Sequence, residues 1–249
     1  MTEERSYKTT AFVLRGRNLG EADKIYTLFT AARGKLDAIA KGVRRTKSHF
    51  AGRLEFMTEA TLTLHRGRNL DVITSAEMVR SSWNVVVRPT TFSSAHLIVE
   101  IVNAFCEPDL AIPDVYALLS GALTSFERSQ DVNPLLPRFY LRMLDALGLA
   151  PPSAQCVRCA ASLDDSPAWV DLESGGLACM ACRFSRQQVI EMSPLDVANF
   201  QALGAPKGGK LQVSITATAT SRKAVEAFLY HHLGKRPKAG LSAGEFVSP

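Results

Sequence analysis

Four of the five cysteines stand in two pairs, Cys156-Val157-Arg158-Cys159 and Cys179-Met180-Ala181-Cys182, with nineteen residues between the pairs. Two residues between thiols let the backbone fold into a tight knuckle that aims both sulfurs at one point. Two knuckles complete a tetrahedral thiolate shell, which is the shell zinc prefers. Ser174-Gly175-Gly176 supplies a turn that returns the chain for the second knuckle. Four protein ligands leave no position for water, so such an ion stabilises a fold and performs no reaction. The same spacing also admits a redox pair or an iron–sulfur cluster. Cys106 is isolated in an apolar helical run and reads as a core thiol. Five cysteines are too few for a disulfide scaffold, and the spacing suits a reducing cytoplasm.

The second chemical signal is positive charge. Residues 1–80 carry 15 lysines and arginines against 9 acids, a net of +6, while residues 81–249 carry 14 against 15. Lys35, Lys41, Arg44, Arg45, Lys47 and Arg53 crowd around one acid, Asp37. The pentapeptide Arg15-Gly16-Arg17-Asn18-Leu19 recurs as Arg66-Gly67-Arg68-Asn69-Leu70. Glycine permits a tight turn, and flanking arginines reach phosphates or stack on exposed bases. These ten cations (Arg15, Arg17, Lys35, Lys41, Arg44, Arg45, Lys47, Arg53, Arg66 and Arg68) are therefore the candidate contacts to a polyanion. A solvated charged face, and hairpins that favour Gly and Asn for conformation alone, are the plainer reading of the same residues.

Two segments imitate catalytic motifs and fail on chemistry. The segment from Gly204 to Leu211 resembles a P-loop, but Leu211 replaces the hydroxyl that binds magnesium. A helical pattern precedes it and the alternating run LQVSITATAT follows, whereas a P-loop joins a strand to a helix. Gly240-Leu241-Ser242-Ala243-Gly244 spells G-x-S-x-G, with no histidine after it and no room for a nucleophile elbow. The five histidines are scattered. No catalytic residue is assigned.

The elements that must position these residues follow from periodicity. Residues 7–15, 24–32, 35–41, 59–65 and 70–79 are short β-branched or aromatic runs, and so predict five strands. The fifteen residues 42–56 form a helical or irregular crossover between the third and fourth. Five strands with that insertion predict an OB-fold barrel, in which the two RGRNL segments are the strand 1–2 and strand 4–5 loops. After Pro89 apolar residues recur at three- and four-residue spacing over 91–106, 114–129 and 133–149, with Asp114 and Asn133 as N-caps and Pro134 in the first turn. Ser193-Pro194 opens another helix, and residues 221–234 form the last. The expected fold is α+β and multidomain. An OB-fold domain spans 1–81, a helical domain takes 82–150 and 190–235, a four-cysteine zinc-finger insertion fills 151–189, and a mobile tail covers 236–249. The first ten residues, MTEERSYKTT, hold no apolar run, and no stretch of about 18 uncharged apolar residues occurs, so neither secretion nor membrane spanning is expected.

A small basic OB barrel, a helical domain and a four-cysteine insertion, in that order, resemble the bacterial RecO family of DNA repair and recombination mediators. The stretch TTAFVLRGRNLGEADKIYTLFTAARGKLDAIAKGVRR carries the resemblance most strongly. The resemblance implies binding of single- and double-stranded DNA and annealing of complementary strands without ATP. It also implies action with RecR to help RecA displace single-stranded-DNA-binding protein, whose C-terminal tail is a further expected partner. The ten cations would then neutralise phosphates while base pairing supplies selectivity. One structural zinc per chain, a cytoplasmic location at the nucleoid and no enzymatic activity are expected. Some relatives lack one or more of the cysteines, so the ion is not the shared source of activity. Two other readings are a zinc-stabilised nucleic-acid-processing enzyme and an RNA-binding OB protein.

Overall fold

The computed structural model describes residues 5–129, 131–183, 190–205 and 215–234, with backbone only for 215–218. The chain divides into two compact units, one up to Glu127 and one from Arg128. The P-loop-like segment from residue 206 to 211, the G-x-S-x-G pentapeptide and the tail 236–249 lie outside the described residues.

The first unit is built on five strands, β1 (Ser6–Leu19), β2 (Asp23–Thr30), β3 (Gly34–Ala40), β4 (Glu59–His65) and β5 (Asp71–Arg80). They close into a barrel of order β1-β2-β3-β5-β4, with β3 and β5 parallel and every other pair antiparallel. This is the OB fold. Alternation sends Val13, Leu28, Leu36, Leu62, Leu64 and Ile73 inward, and Ala11, Ala38, Ala40 and Ala60 between them keep the barrel narrow. The crossover 42–56 is a series of irregular turns without a helix, and its Phe50 and Leu54 plug the core.

Three helices follow: α1 (Trp83–Val86), α2 (Pro89–Phe105) and α3 (Pro113–Arg128). Tyr116 of α3 lies 5.1 Å from the Phe12 ring and 6.0 Å from the Phe29 ring, covering one end of the outer face of β1 and β2. Its hydroxyl donates to Glu59 Oε1 at 2.8 Å. Pro113 is already helical, so Asp114 sits inside the first turn of α3, where a carboxylate faces the positive end of the helix dipole, and is not the cap.

The second unit holds α4 (Leu135–Ala146), β6 (Ala168–Asp171), β7 (Gly176–Cys179), β8 (Glu191–Met192), α5 (Pro194–Gly204) and α6 (Ile215–Leu233). The N-cap of α4 is Pro134, with no side-chain cap bond, so Asn133 does not cap it. A proline amide cannot seek a cap, which removes one of the unsatisfied donors. Ser193 forms a full capping box with Asp196, as its position before Pro194 predicts. Residues Ile215–Thr220 are the first turns of α6, not an alternating strand. The P-loop comparison still fails on the element before it, because α5 is a helix.

Candidate nucleic-acid interface and metal centre

The first RGRNL segment is not a loop. Arg15 to Leu19 remain paired with β2, Arg15 opposite Thr27 and Leu19 opposite Asp23, and the turn comes later, at Gly20–Ala22. Gly16 faces Tyr26, and a Cβ there would stand 3.1 Å from the ring, closer than ordinary contact. The second copy does form the loop between β4 and β5, where a Cβ on Gly67 would collide with the Leu70 carbonyl at 1.9 Å. One pentapeptide thus adopts two conformations because its flanks differ. Pairing with β2 continues through the first copy, while Asp71 Oδ1 accepts from the Gly67 amide and curls the second.

Nine of the ten candidate cations are exposed; Lys35 is half-buried. Four already have partners inside the protein. Lys35 Nζ donates to the Asn103 carbonyl at 2.6 Å, and Arg44 Nη1 to the Gly20 carbonyl at 3.0 Å. Arg53 donates to the His49 carbonyl, and the Arg66 guanidinium lies 5.7 Å from the centre of the Tyr7 ring. The side chains of Arg15, Arg17, Lys41, Arg45, Lys47 and Arg68 make no hydrogen bond or ion pair among the described residues, which leaves their charge available to an anion. Ladder register places Arg15, Thr27 and Asp37 in one row on the outer face of β1, β2 and β3, with Thr27 donating to Asp37 Oδ1 at 2.7 Å.

Sequence reasoning missed a buttress beside this face. Tyr7 donates to Asp71 Oδ2, Arg33 Nη1 donates to the Tyr7 hydroxyl at 2.8 Å, and Arg33 Nη2 pairs with Asp109 at 2.9 Å. Burial, reinforced by Asp71, pushes the Tyr7 phenol up to about 12. Arg33 and Asp109 are 76 residues apart, so no local pattern announced the cluster. The residue after the second RGRNL was the one clue, since an Asx side chain there can fold back on the loop.

In the second unit the β6–β7 hairpin delivers Cys179, and a single 3₁₀ turn, Met180–Cys182, presents Cys182. The first knuckle is pinned to β7 by the Val157 amide on the Leu177 carbonyl at 2.9 Å. The four sulfurs lie within 4.8 Å of one another, and Cys159 and Cys179 are 3.7 Å apart. A tetrahedral ion with bonds of about 2.3 Å requires sulfur separations of about 3.8 Å, so the donor set fits zinc. Burial alone would raise the Cys156 thiol, but the amides of Cys179, Arg158 and Cys159 outweigh it and bring it down to about 6. Hydrogen bonding to Cys159, then burial, pushes Cys182 up to about 12. A cation at the centre would favour thiolate at all four. Arg158 Nε donates to Asp171 Oδ2 at 2.5 Å, tying the first knuckle to β6. Cys106 is buried, and burial raises its thiol to about 11, in keeping with a core role.

A closed OB barrel bearing exposed cations, followed in the chain by a helical unit with four converging thiols, defines the class. Residues 1–82 match the family described as Recombination protein O N terminal, and residues 88–240 match Recombination protein O C terminal. The DNA repair protein RecO of Nocardioides sp. is 32% identical over 97% of this chain and 98% of its own length. That of Dehalococcoides mccartyi is 27% identical over 97% and 96%. That of Bifidobacterium longum is 35% identical over 70% and 73%. The chain belongs to the RecO family of DNA repair proteins.

Proposed function

We propose that this chain binds single- and double-stranded DNA and anneals complementary strands without ATP. In the same reading it acts with RecR to load RecA onto strands coated by single-stranded-DNA-binding protein, with the C-terminal tail of that protein as a contact. The observation that carries the DNA reading is the set of exposed cations on one small barrel, six of them without partners among the described residues. Charges arranged this way neutralise phosphates without reading sequence, which leaves base complementarity to decide which strands pair. Residues 1–81 are the proposed DNA-binding domain, ahead of the helical domain (82–150 and 190–235) and its insertion (151–189). The proposed location is the cytoplasm, at the nucleoid.

The four thiols are proposed to hold one zinc ion. When bound, it would lock the two knuckles together as a structural crosslink. No general acid, base or nucleophile is needed for annealing, so the function is non-enzymatic. The test is annealing of complementary oligonucleotides, with and without single-stranded-DNA-binding protein. The reaction should proceed in the absence of ATP and magnesium. Annealing that requires ATP hydrolysis, or a magnesium-dependent nuclease activity that survives purification, would overturn this reading.

A further inference from the structure

A cavity of about 540 Å³ opens between the outer edge of β2 and β3, the β4–β5 loop and the segment after α2. Ligand cavities run from about 300 to 1,000 Å³, so this one has room for a nucleoside. Most of the charge around it is already satisfied. Arg33 is shared by Asp71 and Asp109, and Lys35 Nζ is taken by the Asn103 carbonyl.

What remains unsatisfied is specific. Asp37 accepts from Thr27 through Oδ1 only, and among the described residues no cation pairs with it. Asn69 and Asn103 also line the cavity, and their side-chain amides make no hydrogen bond among the described residues. A carboxylate accepts protons and repels phosphate. Beside it, a carboxamide both donates and accepts. That combination matches the edge of a base carrying an exocyclic amine next to a ring nitrogen, as in cytosine and adenine, or the adjacent N–H groups of guanine. Thymine offers one N–H flanked by two carbonyl oxygens, and these would face the carboxylate unpaired.

The flanks suit a strand entering here. Arg15 shares the Arg15–Thr27–Asp37 row two strands away, and Arg68 adjoins Asn69 in the loop. Each can hold a neighbouring phosphate while the base leaves the stack.

We propose that this cavity seats one unstacked base of a DNA single strand and selects amino-bearing bases over thymine. The inference rests on the DNA-binding reading given above and adds a base preference to it.

The experiment compares fluorescently labelled dC and dT homopolymers of equal length, at one salt concentration, on the full chain. Both are pyrimidine strands with similar stacking. The intact protein should bind dC about tenfold more tightly, the low end of what one well-paired base contact provides. Asp37→Asn keeps the shape and the Thr27 bond and replaces an acceptor with an amide that can pair with thymine. It should erase the preference and leave the salt dependence of binding unchanged. Asn69→Ala, on an exposed loop, should weaken the preference independently. Equal binding of both homopolymers by the intact protein, or a preference that survives Asp37→Asn, overturns the cavity. Failure to bind either strand refutes DNA binding itself, a result distinct from the loss of preference.

Discussion

Removing Arg45, Lys47 and Arg68 together tests whether the unpartnered cations bind phosphate. Six such side chains, at about 0.7 counterions released per single-strand phosphate, predict a log–log salt slope of about −4. Alanine at three of them predicts about −2. Between 50 and 200 mM salt the intact protein should therefore lose affinity about three-hundredfold, and the triple variant only about twentyfold. All three residues are exposed, and their side chains make no hydrogen bond among the described residues, so the melting temperature should stay close to that of the intact chain. Lys35→Ala is the contrasting control. Its ammonium is occupied by the Asn103 carbonyl, so the substitution should lower stability and leave the slope nearly intact. Fluorescence anisotropy with a labelled single strand, repeated over a salt series, reads the slope directly. A triple variant with an unchanged slope, or Lys35→Ala flattening it as much, would place the phosphate contacts elsewhere.

Two further expectations concern the metal centre. Freshly purified, reduced protein should contain one zinc per chain by elemental analysis, and a chelator or Cys159→Ser should lower thermal stability, because knuckles without an ion lose their fold; protein free of metal would refute the assignment. Ala160, directly after the first knuckle, has a φ of +59°, a conformation that strains any side chain. Ala160→Gly should therefore raise stability by about 0.5–1 kcal/mol in denaturant titration, and a loss of stability would show that the strain is not carried there.

The four-cysteine cluster is legible in the amino-acid sequence. Thiol identity, two-residue spacing and the Ser174-Gly175-Gly176 turn are local properties, and a knuckle needs little more than its own few residues to aim its sulfurs. The barrel is equally open to reading, because inward and outward residues alternate along each strand and the long crossover 42–56 admits few topologies. Ser193 is recognisable as a cap for the same reason: the bonds of a capping box span three residues.

Where the outcome depends on distant partners, sequence falls short. The two copies of RGRNL are identical in composition, yet one extends a strand and the other curls into a loop. The difference comes from β2 pairing along the first copy and from the Tyr7–Asp71–Arg33 buttress behind the second. Asp114 and Asn133 resemble caps by residue type, but α3 already begins at Pro113, and the cap position of α4 falls on Pro134, one residue after Asn133. Charge density alone picks out the ten cations. Only tertiary structure separates those whose charge faces solvent from Lys35 and Arg44, which are bound to backbone carbonyls, because such a carbonyl belongs to a residue 68 positions away for one and 24 for the other. Local chemistry fixes spacing, caps and alternation, whereas the availability of a charge depends on which distant segments pack beside it.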